Sequence, residues 1–286
     1  MHLDQAKTTN NSSQSPVNRI PTRRSPFELA LKDIVLGLKS TNIWAMLAWQ
    51  EIKQRYKRSI IGPLWLTIST AVLIGAMGPL YGRLFSQDTS AYLPHLAVSY
   101  IIWALISNLL NECCNAFINA ESLIKQVKLP LTTHVLRVVW RNFIVFGHQS
   151  LVFIFVLIIF PPRLSFDLLL VPLGIGLLLI NAVWVGILLG SLCARFRDIP
   201  PIISSFVQVA FFLTPVLWQA SSLGHYAWVV NFNPLYHAIE VIRAPLLSAV
   251  QFPWVSLAVS LLMAILGLAL TLAFFTKYRA RIAYWV

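Results

Sequence analysis

Charge is confined to the gaps between long apolar runs, and this confinement limits the fold more than any other feature. The run at 254–276 contains no Asp, Glu, Lys or Arg at all. An α-helix needs about 20 apolar residues to cross a hydrocarbon core of about 30 Å. Runs of that order recur at 62–85, 94–118, 132–160, 166–193, 202–218 and 254–276, so the sequence predicts six spans. Only 11% of the residues are charged, against about 25% in soluble domains. The fold class expected is an all-α polytopic membrane protein.

The stretch that carries the chain into the bilayer is 49–66. Ile43, Met46, Trp49, Ile52 and Tyr56 recur at spacings of three or four, which puts them on one helical face. Gln50, Lys53, Gln54, Lys57 and Arg58 lie on the other. The pattern predicts an amphipathic helix lying in the headgroup layer, its basic residues against anionic membrane lipid. Gly62-Pro63 breaks it, and Pro63 suits the first turn of a new helix. Upstream, residues 1–26 are polar and Pro-rich and lack the apolar core of a signal peptide, so a flexible tail is expected. Residues 27–38 read as a short surface helix, making 27–61 a cytoplasmic interface region.

Between the second and third spans, 119–130 (NAESLIKQVKLP) carries helix signals. Glu121 stands early, Lys125 and Lys128 late, and Pro130 ends the segment. Glu121 and Lys125 also form an i,i+4 pair. Pro161-Pro162-Arg163 reads as a tight turn joining spans three and four. Within 219–253, residues 234–247 have helical periodicity but hold Glu240 and Arg243 and are too short to span. Six spans with cytoplasmic termini leave only Arg83, Arg163 and Arg243 of the 22 Lys and Arg residues outside. A seventh span would place Lys277, Arg279 and Arg281 outside, against the positive-inside rule. The segment is therefore read as re-entrant or interfacial on the outer side.

Several chemistries have no residues to carry them. There is no G-x-x-x-x-G-K-[ST], so no P-loop for ATP, and no catalytic triad or metal-ligand spacing. Cys113, Cys114 and Cys193 read as small apolar packing residues. The net charge of +12 comes from gap residues rather than an aromatic-interleaved patch, which points to lipid and topology and away from nucleic acid. Glu112 is the one carboxylate well inside an expected span, and Arg137 or Arg141 of the next helix is its expected partner. His148 and Gln149 read as interhelical hydrogen-bonding groups. Asp198, beside Arg195 and Arg197, reads as a loop salt-bridge partner. Trp65, Tyr81 and Phe85 in the first span, with Phe206, Phe211, Phe212 and Trp218 in the fifth, are candidate channel aromatics. Their rings offer an apolar surface to sugar C–H groups.

Taken together, five segments resemble one family in its order. RYKRSIIGPLW, with Arg55, Tyr56, Ser59, Gly62 and Trp65, is similar to the approach to the first span in permease subunits of type-2 ABC exporters for O-antigen, capsular polysaccharide and teichoic acid. ESLIKQVKLP resembles the family's coupling helix, RFRDIPPI its loop before the fifth span, and LTPVLW with FNPLYHAIEVIR the end of that span and the outer gate helices. The resemblance implies a homodimer around a channel lined by the first and fifth spans. Two separate ATPase subunits, which bind the ATP and Mg, would dock below it. Glu121, Lys125, Lys128 and Pro130 would form the ATPase coupling segment. Arg55, Tyr56, Arg58, Ser59, Gly62 and Pro63 would form the interface hinge, and Asn233, Pro234 and Arg243 the outer gate. The substrate implied is lipid-linked polysaccharide leaving through the bacterial inner membrane, with this chain a transporter subunit rather than an enzyme. A type-2 exporter of a small lipid or drug, an ion-coupled lipid-glycan flippase and a non-transporting scaffold remain as alternatives.

Overall fold

The computed structural model describes residues 25–161, 166–247 and 253–286. The expected flexible tail therefore lies outside the described residues except at its last two positions, as does most of the turn at 161–163. Among the described residues every regular element is helical. Helix α1 (Pro26–Lys39) starts where the Ser25 hydroxyl accepts from the Glu28 N–H at 3.2 Å, with Pro26 in its first turn and Lys39 in its last. This is the arrangement a helix dipole favours. After α2 (Thr41–Tyr56) comes the non-helical link 57–63, then α3 (Leu64–Leu84) and α4 (Thr89–Cys114). A 3-10 turn, Ile118–Ala120, leads into the short α5 (Glu121–Gln126) and the long α6 (Leu131–Ile159). A second 3-10 turn, Phe166–Leu170, leads into α7 (Val171–Arg195). Next are α8 (Ile199–Leu213), a 3-10 segment Ala220–Phe232, α9 (Pro234–Leu247) and α10 (Trp254–Trp285).

Five described helices are long and apolar enough to cross a membrane: α3, α4, α6, α7 with its leading turn, and α10. The expected fifth span at 202–218 departs from this. Helix α8 has 15 residues, a rise of about 22 Å, and falls short of a bilayer core. It starts three residues early because Pro200 and Pro201 sit in its first turn. It ends at Thr214-Pro215, because the residue before proline is pushed out of helical geometry. The second span also begins earlier than expected, at Thr89, because Asp88 caps it; its carboxylate accepts from the Ser90 N–H and Oγ. Pro94 is then absorbed in the second turn, where its missing N–H affects only a carbonyl near the helix end. Helix α10 runs nine residues past its apolar stretch, carrying Lys277, Arg279 and Arg281 on helix rather than in a tail.

Helix α4 is the axis of the packing. Two thirds of its apolar window is buried (67%), against 17% for α3, and α3, α6, α7, α8 and α9 all pack on it. Helices α7 and α10 form the closest pair. Trp184 packs against Gly267, where a Cβ would strike its indole ring. Its N–H donates to Asn181 at 2.8 Å, and Asn181 donates to the Ser260 carbonyl at 3.2 Å. Small residues and side-chain amides join helices in this way where lipid offers no hydrophobic difference.

Candidate functional site

At the α5 end of the bundle, the start of α6 is capped by a residue 98 positions away. Pro130, extended at φ −57° and ψ 134°, has no capping side chain. Asp33 of α1 supplies one: its carboxylate accepts from Leu131 N (3.2 Å), Thr132 N (3.1 Å) and Thr132 Oγ1 (3.0 Å). Arg279 of α10 donates to the same carboxylate from Nε (2.8 Å) and pairs through Nη2 at 2.7 Å. The Asp33 side chain is fully buried while that of Arg279 is 31% exposed. One carboxylate thus fixes α1, the start of α6 and the end of α10, immediately after the α5 segment.

That segment carries three of the residues chosen for coupling on its exposed surface. Glu121 and Lys125 pair at 2.6 Å with both side chains half exposed, and Lys128 is exposed two residues beyond the helix. The Lys125 hydrogen bond and charge, with a smaller part from Arg197, hold the Glu121 carboxyl below its ordinary value. The expected helix over 119–130 is shorter in the structure, six residues after a 3-10 turn, because Val127 is already extended. Asp198 departs from its expected role. It forms no ion pair among the described residues, and Arg195 instead lies over the rings of Phe196 and Trp285.

Deeper toward the bundle, α2, α4 and α6 share a charge cluster. Arg141 of α6 pairs with Glu51 of α2 and, at 2.6 Å, with Glu112 of α4. Arg137 pairs with Glu51 at 3.1 Å, Asn142 donates to Glu112 at 2.5 Å, and Arg55 reaches Glu112 at 3.4 Å. Glu112 thus finds Arg141 rather than Arg137. Glu51 turns α2 so that Ala48 and Ile52 face the protein, leaving Met46 and Trp49 exposed. The apolar face expected of α2 is therefore divided between protein and surroundings, since the buried arginines of α6 need a carboxylate on that side. Gln149 donates to Thr70 of α3 at 3.3 Å. The His148 ring stays within its own helix, on the Ile144 carbonyl, and it is the His148 carbonyl that accepts from Thr67.

The link from α2 to α3 explains its own sequence. Ser59 N donates to the Tyr56 carbonyl at 2.9 Å, and the Ser59 hydroxyl accepts from Gly62 N at 3.1 Å. Gly62 has φ +61°, a region closed to most L-residues. Pro63 then precedes the first turn of α3. Arg58 and Ser59 are exposed, and Tyr56 half-buried.

The structure brings four of the seven aromatics together. Tyr81, Phe85, Phe211 and Trp218 pack around Tyr92, Leu96 and Leu217, with Tyr92 donating to the Leu217 carbonyl at 2.5 Å. Trp65, Phe206 and Phe212 stand exposed on the free faces of α3 and α8. At the α9 end, Asn233 ties α8 to α9. Its amide donates to Thr214 Oγ1 at 2.8 Å, and its Oδ1 accepts from Leu235 N at 2.9 Å, just before Pro234. Arg243, 4% exposed, pairs with Glu240 and donates to Ser99 Oγ (3.0 Å) and the Pro215 carbonyl (2.6 Å).

Sequence reasoning missed Asp33, Glu51 and Arg279. A signal exists for the first, since Asp33 shares a helical face with Ala30 and Gly37, and all three are buried. A lone acid on a small-residue face marks a close approach.

Residues 42–247, from α2 through α9, match the ABC-2 type transporter family. The chain belongs to that family and is a multi-pass membrane permease. Its relatives include an O-antigen export system permease protein RfbA of Klebsiella pneumoniae, 24% identical over 246 residues, covering 82% of this chain and 91% of the relative. A second RfbA of that organism is 26% identical over 201 residues, covering 65% and 73%. One from Myxococcus xanthus is 24% identical over 177 residues, covering 62% and 68%.

Proposed function

We propose that this chain is the channel-forming permease of an ATP-driven exporter that moves lipid-linked O-antigen-type polysaccharide across the bacterial inner membrane. The observation that carries the reading is the near-full-length similarity to a relative named as an O-antigen export permease, inside a family match covering α2 to α9. Two copies pair through the apolar faces that α3 and α8 leave uncovered, at Trp65, Ile68 and Val72 and at Phe206, Val209 and Phe212. Capsule and teichoic acid are the neighbouring substrate classes.

Both termini are cytoplasmic in this reading, and two separate ATPase subunits dock on the α5 segment through Glu121, Lys125 and Lys128. The chain has no P-loop of its own, so the partners bind ATP and Mg. Their closure moves α5 and, through Pro130 and the Asp33 cap, the start of α6 and the end of α10. The charge cluster passes the motion from α6 to α2, and the 57–63 link acts as the hinge into α3. Such coupling requires that the ATP-bound partner favour one of two channel states. Asn233, Pro234 and Arg243 hold the outer end shut in the resting state.

Deleting the gene tests the reading. Surface polysaccharide should disappear from intact cells while full-length lipid-linked polymer accumulates in the inner membrane. Unchanged surface glycan with no internal pool would overturn it in favour of a small-lipid exporter.

A further inference from the structure

A large cavity lies at the α9 end, between the start of α4, the end of α6 and α9. It measures about 820 Å³, inside the ~300–1,000 Å³ range of small-molecule sites. Its chemistry selects a ligand. Glu240 and Arg243 both line it, but the guanidinium is turned inward, its side chain 5% exposed against 19% for Glu240. Arg243 directs its donors to Glu240, Ser99 and the Pro215 carbonyl, which leaves it little to offer an anion. Glu240 receives both Arg243 bonds on Oε2, so its charge is already balanced and a cation gains little there. Its Oε1 accepts from no described residue. The Tyr236 hydroxyl has no described partner either, and Gln219 and Ser221 line the same wall. The cavity therefore offers a charge-balanced carboxylate oxygen and uncharged hydrogen-bonding groups beside the rings of Tyr236 and Phe160. Rings beside hydroxyl and amide groups suit a molecule with apolar C–H faces and many hydroxyls.

We propose that this cavity binds an uncharged sugar unit of the exported polymer at the outer end of the permease, which rests on the export reading above. Glu240 Oε1 accepts sugar hydroxyls, the Tyr236 hydroxyl and Gln219 amide complete the polar contacts, and the aromatic rings take the C–H face. No residue of α3 or α8 lines the cavity, so in this proposal a bound unit sits next to the route through the dimer and not in it.

The test uses the full chain in lipid nanodiscs and polysaccharide released by mild acid from cells that carry the gene, end-labelled for fluorescence polarisation. Ala91 is exposed at the rim, so Ala91→Trp fills the mouth without disturbing the buried pair. Tyr236→Phe removes a single hydroxyl. Each should raise the Kd at least tenfold with the melting midpoint unchanged, while Tyr284→Phe, at the other end of the molecule, should leave it alone. No saturable binding by the parent chain, or a Kd within twofold of the parent's in both variants, would overturn the cavity assignment. The deletion phenotype decides the export reading separately, so the two can fail independently.

Discussion

Replacing Asp33 with Ala should damage the protein more than removing the arginine that pairs with it. The Asp33 carboxylate takes three hydrogen bonds from Leu131 and Thr132. Loss of an N-cap costs about 1 kcal/mol, and a buried N–H left without a partner costs about 1–3 kcal/mol more. Thr132 is fully buried and Leu131 8% exposed, so water reaches neither easily. The sum is about 3 kcal/mol, or about two orders of magnitude in the folding equilibrium. Arg279 differs. Its side chain is 31% exposed, and its loss leaves the buried Asp33 carboxylate without a counter-charge but with all three hydrogen bonds, so Arg279→Ala should cost less, about 1–2 kcal/mol. Thermal denaturation of the full chain in detergent, read by fluorescence-detected size exclusion, ranks the variants. The double variant should lie within about 1 kcal/mol of Asp33→Ala alone. An Arg279→Ala loss equal to or larger than that of Asp33→Ala would refute the reasoning, because the ion pair and not the cap would then hold α1 in place.

Arg141→Met leaves Glu51 and Glu112 both short of a partner, and should cost about 3–5 kcal/mol in the same denaturation assay. Glu112→Gln keeps an acceptor for Asn142 and should retain surface glycan, whereas an ion-coupled flippase relying on this carboxylate would lose it. At Gly62 a Cβ meets nothing within 4 Å, so Gly62→Ala should cost only the left-handed backbone term, about 1–2 kcal/mol, and Gly62→Asn less; equal losses would point to packing instead. Gly267→Ala drives a methyl into Trp184 and should cost about 1–3 kcal/mol, with recovery in the Gly267→Ala/Trp184→Leu double variant. Glu121 is held anionic, first by the Lys125 hydrogen bond and then by its charge. A lowered carboxyl pKa means the pair is intact above the unfolded value and lost as pH falls through the folded one. Co-purification of the ATPase partner should therefore stay flat from about pH 7 down to about pH 5, and a drop across that range would remove Glu121 from the docking surface.

What was legible in the sequence follows from the range of the forces involved. Membrane crossing is a property of some 20 consecutive residues, so α3, α6 and α10 are visible in apolar length alone. Local rules also reach the link after α2, where Ser59 and Gly62 close a turn within four residues. They also account for two ends set elsewhere than expected: Asp88 caps α4 ahead of Pro94, and the position before Pro215 ends α8. They fail where a distant group decides. The aromatics show the same limit: Tyr81 and Trp218 share a composition with Trp65 and Phe212, yet the first two pack on Tyr92 and the others face outward. Helix rotation decides that, and rotation follows from packing on α4. Asp33 lay furthest from view, because its partners are 98 and 246 positions away and only the small residues Ala30 and Gly37 on its helix face hint at them. The residues that would carry motion between α1, α6 and α10 are thus those whose meaning is wholly non-local. A coupling device joins elements far apart in sequence, so its parts leave the weakest trace in any single stretch.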